Sequence, residues 1–117
     1  MTDITEKKLA LVTGASRGIG AATAEMLARE GWHVIITART EAGLQEVDDR
    51  IHKAGGTATI APFDLADYEA IDRLGNAIGA RWGRLDALIL NAAQLGTLAP
   101  VPHLDLKEWD KLIALNL

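Results

Sequence analysis

The residues best suited to bind a ligand form a glycine-rich segment near the amino end of the sequence. Gly14, Gly18 and Gly20 follow a short apolar run and open an alanine-rich amphipathic stretch. A strand, a glycine turn and a helix in this order can bind a dinucleotide diphosphate, because phosphate oxygens then approach main-chain N–H groups at a positively polarised helix end. A Cβ atom would obstruct that approach. The glycines alone also allow a tight strand-to-helix connection that binds nothing.

A second set of candidate binding residues follows the second apolar run. In dinucleotide-binding folds, an acidic side chain there hydrogen-bonds the ribose hydroxyls of NAD, whereas a cation binds the 2′-phosphate of NADP. The segment 37–40 has no carboxylate and contains Arg39, and Arg17 lies in the glycine turn. The hydroxyls of Thr37 and Thr40 could add hydrogen bonds. These residues favour NADP over NAD, while a solvated loop arginine is the simpler interpretation of Arg39.

Alternating strands and helices must position these residues. Short apolar runs predict strands over 8–12, 33–37, 57–63 and 85–90, and a loop rich in Gly, Pro and Ala follows the last of them. Amphipathic stretches predict helices over 18–30 and 41–54, a third that begins after Asp67 and ends at Gly83, and a last one from Asp105. Thr40 is the expected N-cap of the second helix. This alternation predicts an α/β fold with a doubly wound parallel sheet of four strands, of the Rossmann type.

The composition of the sequence argues against several classes of function. The 117 residues suit one domain, 1–117, and the net charge of −4 with scattered basic residues argues against a nucleic-acid partner. The absence of cysteine and the wide separation of the three histidines argue against a metal site. No apolar run is long enough to cross a bilayer, and the polar start is unlike a signal peptide. We therefore expect a cytoplasmic protein without a membrane partner.

The glycine spacing resembles that of the short-chain dehydrogenase/reductase family, in its N-terminal part. This chain has Thr followed by G-x-x-x-G-x-G, where the commoner dinucleotide pattern is G-x-G-x-x-G. The resemblance covers the chain from Leu9 onward and implies an NADP-dependent oxidoreductase. It also implies cofactor binding by Gly14, Ser16, Arg17, Gly18, Ile19, Gly20, Arg39, Asp64, Leu65, Asn91 and Ala92.

Some of these residues carry roles that only the resemblance implies. Asp64 would accept a hydrogen bond from the adenine amino group while the Leu65 N–H donates to the ring, although a turn aspartate is the alternative. Asn91 and Ala92 match the family's Asn-Asn-Ala-Gly sequence, in which Leu and Ala replace the first Asn and the Gly here. Asn91 can therefore be structural or touch the cofactor.

The catalytic residues that the resemblance implies are mostly missing. Asn116 aligns with the family's catalytic Asn, which holds a water in a proton relay, although a surface Asn is the alternative. The family's Ser, Tyr and Lys are absent, because Ser16 belongs to the glycine turn and Tyr68 is followed four residues later by Asp72. We expect an N-terminal portion of a longer enzyme, truncated before the catalytic segment and inactive alone.

The complete enzyme would transfer a hydride between NADP(H) and a small carbonyl or alcohol substrate, and the resemblance implies a homo-oligomer. Two other classes remain open. One is a non-catalytic nucleotide-binding or assembly module. The other is a Rossmann-type methyltransferase, which also has a glycine turn but needs an acid for the ribose hydroxyls near Ala38, where none is present.

Overall fold

The fold is built on a sheet of short and mainly apolar strands. The computed structural model of the chain describes residues 7–62, 67–92 and 95–100. The strands in this part are β1 (Leu9–Thr13), β2 (His33–Thr37), β3 (Thr57–Ile60), β4 (Ala87–Ala92) and β5 (Leu95–Pro100). They form one sheet in the order β3-β2-β1-β4-β5. The first four strands are mutually parallel, which confirms the predicted α/β fold with its four-stranded parallel sheet.

The helices between the strands match the amphipathic stretches of the sequence. They are α1 (Gly18–Arg29), α2 (Glu41–Lys53) and α3 (Tyr68–Arg81). Gly31 closes α1 with a φ of 94°, in the left-handed region that glycine adopts easily. Asp67 is the N-cap of α3, because its carboxylate accepts a hydrogen bond from the Ala70 N–H at 3.1 Å. The predicted N-cap Thr40 also precedes its helix directly, but its hydroxyl makes no capping bond.

Apolar side chains cover both faces of the parallel sheet. One face packs against α1 and α2 in a cluster that includes Val12, Ile36 and Leu44. The other face packs against α3 in a cluster that includes Leu11 and Ile78. Because β1 and β2 lie between these two layers, every residue in them is buried. The double burial explains why these strands are almost continuously apolar rather than alternating.

The segment after β4 differs from the predicted loop. Residues Leu95–Pro100 form the antiparallel strand β5, which pairs with β4 from Ala92 opposite Leu95 to Ala87 opposite Pro100. The Gly and Pro residues of this segment suggested a loop. Unpaired N–H and C=O groups along the edge of β4 favour a partner strand, and an edge strand tolerates a proline.

His33 is a packing residue at the start of β2. Its side chain is buried, its Nδ1 lies 2.8 Å from the Thr57 hydroxyl, and its Nε2 lies 2.9 Å from the Thr59 hydroxyl. The ring also packs at a tilt against Trp82, with centroids 5.5 Å apart. Burial, with the positive charge of Arg81 as the second cause, lowers the pKa of His33 from 6.5 to about 4. The imidazole is therefore neutral at pH 7 and joins β2 to β3.

Candidate dinucleotide-binding site

The glycine turn lies at the carboxyl edge of the parallel sheet. It connects the end of β1 at Thr13 to the start of α1 at Gly18. Thr13 pairs in register with Thr37, the last residue of β2, and the Ala15 N–H donates to the Thr37 carbonyl at 3.0 Å. The turn is thereby fixed to the ends of two adjacent strands. Ligands of doubly wound folds bind at this edge of the sheet.

Gly14 and Gly20 are required by close packing within the protein. A Cβ atom on Gly20 would overlap the Gly14 carbonyl oxygen and lie 2.7 Å from the Asn91 Nδ2. A Cβ atom on Gly14 would overlap the Asn91 carbonyl oxygen, and Gly14 also has a φ of 60°. These two glycines let the turn, the first turn of α1 and the end of β4 come together.

Gly18 has a different environment. A Cβ atom there would meet nothing within 4 Å among the described atoms, although its φ of 63° favours glycine. No packing contact in this part of the protein therefore explains why the position lacks a side chain. The surface in front of Gly18 stays open to solvent at the beginning of α1.

The amino end of α1 has no capping side chain. Arg17 occupies the N-cap position in an extended conformation, its side chain makes no capping bond, and the first turn contains no acidic residue. The first N–H groups of a helix have no partner within it and carry partial positive charge. Arg17 and Gly18 are exposed, and Ile19 is 65% exposed. These main-chain donors are therefore accessible to an anion.

Asn91 links the glycine turn to the end of β4 by hydrogen bonds. Its Nδ2 donates to the Gly14 carbonyl at 3.3 Å, and its main-chain N–H donates to the Thr13 hydroxyl at 2.9 Å. The Thr13 hydroxyl donates in turn to the Ile89 carbonyl at 3.4 Å. The structural role that the sequence left open for Asn91 is thus present, and Ala92 follows it as the last residue of β4. The sequence placed Thr13 at the start of the glycine motif, but its hydrogen bonds to β4 were not predicted.

Arg39 and Thr40 lie between the end of β2 and the start of α2. Arg39, Thr40 and Arg17 are all exposed, and neither arginine forms an ion pair within the described segments. The Ala15–Thr37 hydrogen bond brings the two segments that carry these arginines side by side. Both arginines are exposed cations on these adjacent segments, and an exposed guanidinium group can bind a phosphate group.

Thr37, in contrast to Arg39 and Thr40, is not exposed. Its side chain is 1% exposed, and its hydroxyl has no hydrogen-bond partner among the described atoms. The sequence had suggested the hydroxyls of both Thr37 and Thr40 as phosphate ligands. Because the Thr37 side chain is buried, only the Thr40 hydroxyl is placed at the surface beside Arg39.

Three predicted site residues lie outside the described residues. Asp64 and Leu65 fall between residues 62 and 67, and Asn116 lies beyond residue 100. Their proposed roles at the adenine ring and in the proton relay are therefore predictions from the resemblance.

Within residues 7–62, 67–92 and 95–100, no helix is long and apolar enough to cross a membrane. In the same described part, His, Asp and Glu side chains form no group of three that could hold a metal ion.

The parallel sheet, its alternating helices and the glycine turn together define a Rossmann-type fold. The chain matches the model of the short chain dehydrogenase family over residues 8–117, and it belongs to this family. Among curated relatives, it is 47% identical over 87 residues to a fatty acyl-CoA reductase of Acinetobacter baylyi, covering 74% of this chain and 30% of that protein. It is 40% identical over 111 residues to the short-chain dehydrogenase/reductase FrzI of Cladobotryum, covering 94% of this chain and 43% of that protein.

Two solved structures show the same fold. A metagenomic short-chain oxidoreductase in complex with NADP has a TM-score of 0.72 at 43% identity, covering 74% of this chain and 39% of that one. A variant of the actinorhodin polyketide ketoreductase with NADPH has a TM-score of 0.73 at 35% identity, covering 80% of this chain and 36% of that one. The chain spans less than half the length of each of these four proteins.

Proposed function

We propose that this chain is the cofactor-binding portion of an NADP(H)-dependent short-chain dehydrogenase/reductase. The observation that carries the proposal is the open, uncapped start of α1 at Gly18, fixed at the carboxyl edge of the sheet. A diphosphate placed there would accept hydrogen bonds from main-chain N–H groups and face the positive end of the helix dipole. The two structural neighbours bound to NADP or NADPH support this choice of ligand.

The cofactor preference follows from the charges near the ribose position. The exposed Arg39 and Arg17 would bind the 2′-phosphate, with the Thr40 hydroxyl as a further donor. No carboxylate lies in the segment 37–40 to favour the free hydroxyls of NAD. This chemistry fits NADP better than NAD.

The other assigned residues complete the proposed site. Ser16, Ile19 and the main chain of the turn would hold the diphosphate, and Asp64 with Leu65 would recognise adenine. Asn91 and Ala92 would line the cofactor cleft at the end of β4, in addition to the structural bonds of Asn91.

The proposed reaction is hydride transfer between the nicotinamide and a carbonyl or alcohol carbon, and the bound cofactor supplies the hydride. The proposed role of this chain is to hold the cofactor in a fixed position at the carboxyl edge of the sheet. Asn116 is the proposed proton-relay residue. The sequence holds neither a second serine nor a second tyrosine, so we propose that the general acid comes from sequence beyond this chain. We also propose that the protein is a homo-oligomer and that it is located in the cytoplasm.

Parallel titrations test the proposed function. The purified protein is titrated with NADPH, NADH and S-adenosylmethionine, and binding is followed by calorimetry. We expect NADPH to bind about tenfold or more tightly than NADH, because the 2′-phosphate adds charge-assisted hydrogen bonds, and we expect no binding of S-adenosylmethionine. Binding of S-adenosylmethionine without NADPH would instead indicate the methyltransferase class.

A further inference from the structure

Gly43 lies in the first turn of α2 and packs directly against Ser16 of the glycine turn. A Cβ atom at this position would lie 2.8 Å from the Ser16 Cβ, 3.5 Å from the Ser16 carbonyl oxygen and 3.6 Å from the Ser16 Oγ. Real Cβ atoms do not approach another carbon to 2.8 Å. The Ser16 Cβ is bonded to the main chain, so a change of rotamer cannot move it away. Any side chain at Gly43 must therefore shift the start of α2 or the glycine turn.

Nothing in the local conformation of α2 requires a glycine there. Gly43 is not among the described glycines with positive φ, and it lies inside a regular helix. Glycine is an unfavourable residue in a helix, second only to proline. The missing side chain at Gly43 therefore serves the contact with Ser16 rather than the helix itself.

This contact fixes the distance between the two cationic segments. On one side, Ser16 is followed by Arg17, and on the other side, Arg39 and Thr40 directly precede α2. The Ala15–Thr37 hydrogen bond joins the two segments before Arg39 and Thr40, and the contact of Gly43 with Ser16 joins them again after these two residues.

We propose that Gly43 is a positioning residue for coenzyme specificity, because its contact with Ser16 holds Arg39 and Thr40 beside Arg17 at one 2′-phosphate. This inference rests on the proposed binding of NADP(H). Gly43 itself does not touch the cofactor. It acts through the placement of α2, so its substitution affects the 2′-phosphate more than the part of the cofactor that NADH shares.

The test compares Gly43→Ala with Gly79→Ala in the purified protein. Gly79 is also a glycine within a helix, but it is exposed, and a Cβ there would meet nothing within 4 Å. Both substitutions replace a helical glycine by alanine, and only the first creates a steric overlap. Dissociation constants for NADPH and NADH are measured for wild type and both variants. We expect Gly43→Ala to reduce the NADPH-to-NADH affinity ratio about fivefold or more, as for a weakened charge-assisted hydrogen bond.

A double-mutant cycle with Ser16→Gly identifies the contact responsible. Removal of the Ser16 Cβ makes room for the new methyl group, so Gly43→Ala should leave the affinity ratio unchanged in the Ser16→Gly background. That background also tests the proposal if Gly43→Ala fails to fold in the wild type. A similar loss in both backgrounds, or an unchanged ratio in Gly43→Ala, would overturn the inference. Failure of wild type to bind either coenzyme would overturn the proposed function itself, and this inference with it.

Discussion

Gly18 and Gly20 belong to the same motif but meet different physical requirements. Gly20 lacks a side chain because the Gly14 carbonyl and the Asn91 amide occupy the space where its Cβ would lie. Gly18 has open space instead, at a helix start without a cap. Gly20 therefore maintains the protein's own packing, and we propose that the space at Gly18 is left for a ligand. Sequence alone does not separate these roles, because both positions have the same residue type.

In the proposed site, Arg39 is the residue that we expect to determine the choice of coenzyme most directly. Arg39→Ala should weaken NADPH binding about tenfold or more, because a charge-assisted contact to the 2′-phosphate is lost, and should leave NADH binding nearly unchanged. Arg73→Ala is a matched control, since Arg73 is an exposed arginine of α3, the helix that packs on the opposite face of the sheet from α1 and α2. Dissociation constants for both coenzymes give the result. Equal weakening of NADPH and NADH would assign Arg39 no role at the 2′-phosphate.

At the scale of the elements, burial decides how well the sequence predicts structure. The doubly buried β2 was predicted with its observed bounds, because its β-branched run Val34–Ile36 lies between the turn at Gly31 and the polar residues Arg39 and Thr40. The helix α2 was predicted from a clear apolar stripe, with Leu44, Val47 and Ile51 buried as expected. The edge strand β5 was missed, since it is defined by pairing with β4 rather than by an apolar pattern of its own. The role of Gly43 was missed as well, because Ser16 is distant in sequence and only the fold brings them together.

The His33 contacts between β2 and β3 predict a pH-dependent stability. The pKa of His33 is about 4 in the folded chain and about 6.5 when unfolded, so the unfolded chain binds the proton more tightly. The neutral ring therefore contributes fully to the free energy of unfolding above pH 6.5, and this contribution is lost as the pH falls toward 4. The free energy of unfolding should therefore decrease on the acid side, by at most ~1.4 kcal/mol per pH unit from this group.

Urea denaturation at several pH values checks this prediction. His33→Gln removes the titrating group but keeps a donor and an acceptor, so the acid-side decrease should become smaller. An identical pH dependence for wild type and His33→Gln would show that the buried imidazole does not govern this part of the stability curve.

For the whole molecule, the features that the proposal uses meet at one edge of the sheet. The ends of β1, β2 and β4 converge there, and hydrogen bonds from Ala15 and Asn91 join the glycine turn to both neighbouring strands. His33 lies at the opposite end of β2, so stability and coenzyme binding can be varied separately. The substrate was not predictable from the sequence, because the proposed roles of the glycine turn and the arginines concern only the coenzyme. The chain also spans less than half the length of its relatives.

The central claim is that the first main-chain N–H groups of α1, at Gly18, bind the diphosphate of NADP(H). An NADPH titration of the Gly18→Ala and Gly55→Ala variants tests this claim most directly. Both glycines have positive φ, 63° and 87°, and neither would place a Cβ within 4 Å of another described atom. The two variants therefore carry a similar backbone cost of about 1–2 kcal/mol. We predict that Gly18→Ala weakens NADPH binding about tenfold or more, while Gly55→Ala binds as wild type. Wild-type NADPH affinity in Gly18→Ala would contradict the account.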